Sequence, residues 1–159
     1  MKILFAIKNP FPIAHLSCLV LLSLLLVSSI GCGDGRPGRV PVSGKITIDG
    51  EPVPFGAVQF KPVGGGRTAG GTLNAQGEYS VSMYELNDGL PPGSYMVSVK
   101  SDQTVSDSAV RWLVPKRFSK PKTSGLTADI QDEVESLDYD LSWGDSDSGH
   151  DKPWVERYR

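Results

Sequence analysis

Apolar and polar residues alternate along most of the chain that follows Val40. A period of two sends successive side chains to opposite faces of an extended strand, whereas a helix needs a period near 3.6. Six segments carry this alternation, and their apolar residues are Val42, Ile46 and Ile48; Val58 and Phe60; Tyr79, Val81 and Met83; Tyr95, Val97 and Val99; Leu126, Ala128 and Ile130; and Leu137, Tyr139 and Leu141. Residues 67–73 form a weaker seventh candidate. The pattern predicts strands that each bury one face.

Turn-forming residues separate these segments. They are Asp-Gly at 49–50, Asn-Ala-Gln-Gly at 74–77 and Pro-Pro-Gly at 91–93. Glycine supplies positive φ and proline presets φ, so each of these sequences favours a turn. The chain also has 18 glycines and 12 prolines but only 8% aromatic residues, as expected for many short elements. We therefore predict an all-β protein, with a single seven-stranded Ig-like or transthyretin-like β-sandwich over residues 40–142.

The first 31 residues have a different composition. Lys2 and Lys8 carry the only formal charges there, and a mainly apolar run follows from Leu16 to Ile30. As a helix this run would reach about 22 Å at ~1.5 Å per residue, which is short of the ~30 Å hydrocarbon core of a bilayer. The segment is typical of a cleaved secretory signal peptide rather than a permanent membrane span.

The leader ends in the sequence Ser-Ser-Ile-Gly-Cys, residues 28–32. Basic residues, an apolar run and small residues before a cysteine resemble a bacterial lipoprotein signal peptide. In that family the cysteine thiol receives a diacylglycerol and the leader is cut just before it, so the resemblance implies cleavage between Gly31 and Cys32 and acylation of Cys32, with palmitate as a typical chain. Two or three acyl chains hold a protein at a membrane where one does not. The alternatives are an ordinary signal peptide with a chance cysteine and a retained helix.

The anchor predicts where the protein lies. Gly33 follows the cysteine, and by resemblance to Gram-negative lipoproteins the absence of Asp at that position favours the outer membrane. We expect a lipid-anchored protein of the cell envelope, on the periplasmic or surface face. The predicted domains are the leader (1–31), a lipid-anchored linker (32–39), the β-sandwich (40–142) and a flexible acidic tail (143–159). Leader removal leaves Cys32 as the sole cysteine, so the core must stabilise the sandwich without a disulfide.

Three segments carry a second resemblance. They read VPVSGKITIDGEPVPFGAVQFKP, GGTLNAQGEYSV and LPPGSYMVSV, and they resemble the carboxypeptidase-regulatory-like, or transthyretin-like, β-sandwich family. The matching positions are Gly44, Asp49, Gly50, Gly56, Asn74, Gly77, Tyr79, Pro92, Gly93 and Tyr95. Residues 113–130 and 137–142 resemble the continuation of that domain in small lipoproteins of Planctomycetes. The resemblance implies a fold but no activity, because the matched residues are turn formers, structural glycines and core aromatics.

Little in the exported part of the chain suggests catalysis. Loss of the two leader lysines leaves 14 basic against 18 acidic residues without a basic stripe, so nucleic-acid binding is not expected. Its one histidine, His150, lies in the predicted tail, whereas a hydrolytic nucleophile needs a positioned base. Asp145, Asp147, Asp151 and Glu156 have the spacing of a calcium loop, but His150 stands where that loop requires glycine. We expect no enzymatic activity, no cofactor and no metal site.

Three tryptophans lie outside the alternating pattern: Trp112, Trp143 and Trp154. An exposed tryptophan on a β-sandwich can stack on a sugar ring, which makes Trp112 a candidate ligand-stacking residue. Trp112 could equally close the open end of the sandwich, and we favour that interpretation. The sequence thus predicts a non-enzymatic structural or interaction module, held to the membrane through Cys32 and facing a protein or glycan partner. The alternative is a carbohydrate-binding module of the envelope.

Overall fold

The computed structural model describes residues 35–131, 136–144 and 153–158. The predicted signal peptide, the cleavage and lipidation site at Gly31 and Cys32, and His150 with the three tail aspartates lie outside these residues. The chain divides into two units, residues 1–36 and 37–159. Residues 35 and 36, the described part of the first unit, are exposed and belong to no helix or strand. The second unit carries all the elements described below.

Strand accounts for 50% of the structure and helix for 7%, and the strands form several antiparallel sheets, which confirms the predicted all-β sandwich. The strands are β1 (Ser43–Ile48), β2 (Glu51–Pro52), β3 (Gly56–Pro62), β4 (Ala69–Leu73), β5 (Glu78–Ser80), β6 (Gly93–Lys100), β7 (Asp102–Ser106), β8 (Ala109–Trp112), β9 (Leu126–Ile130), β10 (Tyr139–Leu141) and β11 (Trp154–Arg157). A 3₁₀ turn (Lys116–Ser119) and a short helix, α1 (Pro121–Ser124), separate β8 from β9. Within the described ranges, every helix is too short or too polar to traverse a bilayer.

The strands are arranged in three sheets. The first has the order β10-β1-β2, with β5 also paired to β1, and the second has the order β4-β3-β6-β9. The third has the order β11-β8-β7. Strands β1 and β10 pair in parallel, and the other strand pairs in the described ranges are antiparallel. Ser101 alone separates β6 of the second sheet from β7 of the third. The third sheet therefore begins where β6 ends.

The core lies between the first two sheets. Its least exposed side chains include Ile46 of β1, Phe60 of β3 and Val97 of β6. The ring of Phe60 packs against Tyr79 of β5 at 6.1 Å and against Tyr95 of β6 at 6.4 Å, so one aromatic cluster joins the two sheets. Burial of each such side chain contributes roughly 1.5–3 kcal/mol. The alternating residues are buried or half-buried, as their pattern predicts.

The Asp-Gly turn takes the conformation that its sequence predicts. Asp49 and Gly50 have φ values of 48° and 85°, as the two central residues of a type I′ hairpin require. The turn joins β1 to β2 with no other residue between the strands. It therefore fixes the register in which Ile48 faces Glu51.

The structure differs from the predicted seven strands and describes part of the predicted tail. It describes eleven strands, and β2, β7, β8 and β11 have no counterpart among the seven candidates. Strand β7 exposes most of its side chains and therefore shows no apolar alternation. In the described part of the predicted tail, Trp143 is buried and β11 pairs with β8 over four residues. Two hydrogen-bonded side chains of the β8 region hold Glu156 of β11, as described below.

Candidate functional site

The two ends of the sandwich present different surfaces, and β3 runs from one to the other. Pro54, just before β3, lines an apolar groove of about 310 Å³. Pro62, at the other end of β3, lines a separate cleft of about 350 Å³ that also includes Pro37. Seven strand residues at ~3.3 Å each separate the two by roughly 20 Å. We name them the groove end (Ile48–Pro54, Leu113, Trp143 and Pro153) and the tether end (Pro37, Pro62–Arg67 and Met83–Pro92).

The groove has an apolar floor and an acidic rim. Apolar surface comes mainly from Ile48, Pro52, Pro54, Leu113, Trp143 and Pro153. Pro52 and Pro54 are two residues apart and flank the buried Val53, so both prolines point outward from the same short segment. Asp49 and Glu51 line the groove as well, and both are exposed. Proline has no backbone N–H, so this edge accepts apolar contact better than a further strand.

A carboxylate of β10 fixes the turn beside the groove. Asp140 Oδ1 accepts hydrogen bonds from Thr47 Oγ1 at 2.6 Å and from the Gly50 N–H at 3.1 Å. These two hydrogen bonds, that from Thr47 first, lower the pKa of Asp140 below its usual value. The Asp49 N–H also donates to the Leu141 carbonyl at 2.8 Å. The rim is therefore held in place from both β1 and β10.

Arg117 holds the opposite wall. Its guanidinium donates to the carbonyl of Trp143 at 3.0 Å and to the carbonyl of Ser142, and it stacks on the Phe118 ring at 4.6 Å. Trp143 is only 5% exposed, so it offers the groove little of its surface. Leu113 is fixed by its N–H, which donates to the Ser101 carbonyl at 2.9 Å. Backbone hydrogen bonds thus hold both Trp143 and Leu113 in place on this side of the groove.

The candidate stacking residue Trp112 lies on β8 and does not line the groove. It is 5% exposed, and its indole N–H donates to Glu156 Oε2 at 3.0 Å. Lys116 Nζ donates to both oxygens of the same carboxylate, at 2.7 and 2.9 Å, and lies 5.6 Å from the centre of the indole ring. Trp112 is thus buried in the third sheet, where β8 pairs with β11, and offers little ring surface to a sugar.

The Lys116–Glu156 contact shifts the titration of both partners. The hydrogen bond from Lys116 is the main cause that lowers the pKa of Glu156, and the same bond raises the pKa of Lys116. Glu156 stood in the calcium-loop spacing of the sequence, but here it binds an ammonium and an indole. In the described part of the chain, no three His, Cys, Asp or Glu side chains come together as metal ligands.

Comparisons of the chain with protein-family models, with curated proteins and with solved structures found no match. The site must therefore be interpreted from its own chemistry. Sequence reasoning assigned Trp143 to the tail and missed the groove. The spacing of Pro52 and Pro54 on either side of an apolar residue was the available signal, but Leu113, Trp143 and Pro153 join them only through the topology.

Proposed function

We propose that the protein is a lipid-anchored, non-enzymatic interaction module of the bacterial cell envelope, whose groove binds a protein partner. Acyl chains on Cys32 hold it at the membrane, and by resemblance this is the outer membrane. The observation that carries the proposal is the position of the groove, at the end of the sandwich opposite Pro37. A module that is held at one end is free to present the other to a partner.

The chemistry of the groove favours a peptide segment over a sugar. Its floor offers proline and leucine surface and a small part of Trp143, which suit an apolar side chain. The exposed Glu51 at the rim attracts a cation. The occupant that fits is an extended segment of an envelope protein, with an apolar side chain next to Lys or Arg. A carbohydrate-binding module would need an exposed aromatic platform, and Trp112 is buried.

Metabolic labelling tests the anchor. The full chain expressed in a Gram-negative host with an alkyne analogue of palmitate should incorporate the label, and Cys32→Ala should abolish incorporation and leave the leader uncleaved. Cys18→Ala is the matched control, since Cys18 lies in the leader and its variant should label normally. Normal labelling of the Cys32→Ala variant contradicts the anchor.

Site-specific crosslinking in intact cells tests the groove. A photoreactive amino acid at Pro54 should capture a defined protein segment that contains Lys or Arg, and Glu51→Lys should reduce this capture several-fold. The control position is Val105 on β7, which is 43% exposed and does not line the groove. Identical products from the two positions contradict the proposal. Loss of the Pro54 product on addition of envelope polysaccharide would support the carbohydrate alternative instead.

A further inference from the structure

We infer that the tether end is a membrane-contact surface, on which the apolar tips of two loops enter the interfacial layer of a phospholipid bilayer. The inference rests on the proposed function, because the acyl chains of Cys32 bring this surface to the membrane. It goes further in assigning a membrane-facing role to the folded sandwich itself.

Two loops converge on the tether end. One joins β3 to β4 and the other joins β5 to β6, and both line the cleft that contains Pro37. Each loop carries an exposed apolar residue: Val63 is 61% exposed and Leu86 is 86% exposed. Tyr84, on the second loop, is 37% exposed. One exposed leucine is ordinary, but apolar tips on two neighbouring loops and a tyrosine beside the tether form a surface suited to a bilayer interface.

The loop that carries Leu86 is held rigidly. The Asp88 carboxylate accepts hydrogen bonds from the backbone N–H groups of Met83 at 2.6 Å, Glu85 at 3.0 Å and Tyr84 at 3.1 Å. Ser82 Oγ accepts one from the Asn87 N–H at 2.8 Å. Hydrogen bonds therefore hold the backbone on both sides of Leu86, and the fold exposes this side chain.

Arginines flank the same loop. The guanidinium groups of Arg39 and Arg67 lie 5.1 and 4.9 Å from the centre of the Tyr84 ring. Arg39 Nε is buried 2.9 Å from Asp88 Oδ2, as an ion pair without an aligned hydrogen bond. Burial acts to raise the pKa of Asp88, but the three backbone hydrogen bonds and Arg39 outweigh it and lower the pKa. Arg39 therefore neutralises the charge of Asp88, while Arg67 is exposed and suits a lipid phosphate.

The short linker between Cys32 and the sandwich favours a bilayer as the binding partner of the tether end. Five residue steps join Cys32 to Pro37, so the chain spans at most about 18 Å between them. With Cys32 acylated, the tether end cannot move farther than this from the lipid head groups. The groove end lies roughly 20 Å beyond it along β3. The loop tips are thus the part of the sandwich that meets the membrane first.

Fluorescence depth measurement on the lipidated full chain tests the inference. Leu86→Cys and, as a second site, Val63→Cys would each be labelled with a thiol-reactive, environment-sensitive dye, and Val105→Cys is the control. On phosphatidylcholine–phosphatidylglycerol vesicles with nitroxide-labelled lipids, the dyes at 86 and 63 should shift to the blue and be quenched at least about twofold more than the dye at 105.

Each other outcome has a distinct meaning. In the unsubstituted protein an acylated Cys32 has no free thiol, so dye incorporation there would show that the anchor, and with it the proposed function, fails. A protein that is bound to vesicles, with Cys32 unreactive and with all three dyes in water, overturns the membrane-contact inference alone. A blue shift at 86 without quenching by nitroxide lipids, and growing with protein concentration, assigns the surface to a second copy and also overturns it.

Discussion

At the scale of single residues, Gly44 of β1 lies in a space that has no room for a side chain. A Cβ at this position would lie 2.1 Å from the carbonyl oxygen of Leu137 and 2.9 Å from the Tyr79 hydroxyl. The Tyr79 hydroxyl donates a hydrogen bond to the same Leu137 carbonyl at 2.7 Å. The absence of a side chain at residue 44 therefore lets the segment before β10 approach β1 and meet Tyr79.

We predict that Gly44→Ala lowers the free energy of unfolding by about 2 kcal/mol or more, because a methyl group must displace backbone atoms that cannot yield cheaply. Urea denaturation followed by circular dichroism measures this. The matched control is Gly38→Ala, since no atom lies within 4 Å of a Cβ at Gly38. That variant should change the unfolding free energy by less than about 0.5 kcal/mol. Equal losses for the two variants contradict the explanation.

The sequence could mark Gly44 and Tyr79 as structural but could not name their shared partner. Both residues occupy positions of the resemblance, and Tyr79 follows the alternation of β5. The carbonyl that Tyr79 binds lies 58 residues away, in a segment without a recognisable turn. A contact over that separation depends on the pairing of β1 with β10, which no local pattern encodes.

At the scale of elements, one carboxylate of β11 adds side-chain contacts to the backbone pairing of β11 with β8. Glu156 accepts hydrogen bonds from Trp112 and Lys116 of the β8 region, and the Tyr158 hydroxyl donates to it at 3.2 Å. Its pKa is lowered, so the ionised form is bound more tightly in the folded state. This stabilisation is present above the usual carboxyl pKa of about 4.5 and is lost as pH falls through the lower folded pKa.

Glu156→Gln should loosen β11 while the rest of the sandwich keeps its fold. We expect backbone amides of β11, and the amides of β8 that pair with it, to exchange hydrogen at least several-fold faster at pH 7. The contribution is modest, at most about 1 kcal/mol, because the Lys116 side chain is exposed. Hydrogen exchange monitored by NMR measures this. Arg157→Ala is the control on the same strand and should leave protection unchanged; equal acceleration in both variants contradicts the role of Glu156.

Strands with alternating apolar residues could be predicted from the sequence, and the third sheet could not. In β8 the buried residues are Ala109 and Trp112, which are three positions apart and do not follow a period of two. The register of β7 on β8 also shifts between Thr104 and Ser106. The groove could not be predicted for the same reason. Leu113 follows β8 and Pro153 precedes β11, and the alternating pattern indicated neither strand.

At the scale of the whole molecule, buried tyrosines make the fold sensitive to alkali. Burial is the first cause that raises the pKa of Tyr79, Tyr95 and Tyr139, and Tyr139 and Asp138 add to it at Tyr79. In the unfolded chain these side chains ionise near pH 10. Above that pH the unfolded state binds fewer protons than the folded state, so the free energy of unfolding falls.

We therefore predict that urea-unfolding free energies are level from about pH 8 to 9.5 and fall as the pH rises above about 10. Tyr79→Phe should lower the free energy at pH 8 by about 1 kcal/mol, through loss of its hydrogen bond, and should flatten the decline above pH 10. Tyr84→Phe, at an exposed position, should keep the decline unchanged. A decline that is as steep in Tyr79→Phe as in the unsubstituted protein contradicts this account.

The parallel pairing of β1 with β10 has a consequence for biogenesis. Ile46 of β1 pairs with Tyr139 of β10, which lies 93 positions later in the chain. β1 therefore cannot complete its hydrogen bonds on this side until β10 is present. Contacts of such separation form late and slow the folding of a chain. The ribosome makes the amino end of a polypeptide first. The sandwich would thus stay incompletely folded for most of the synthesis of the chain. That delay is compatible with passage through a secretion channel that admits only unfolded chains.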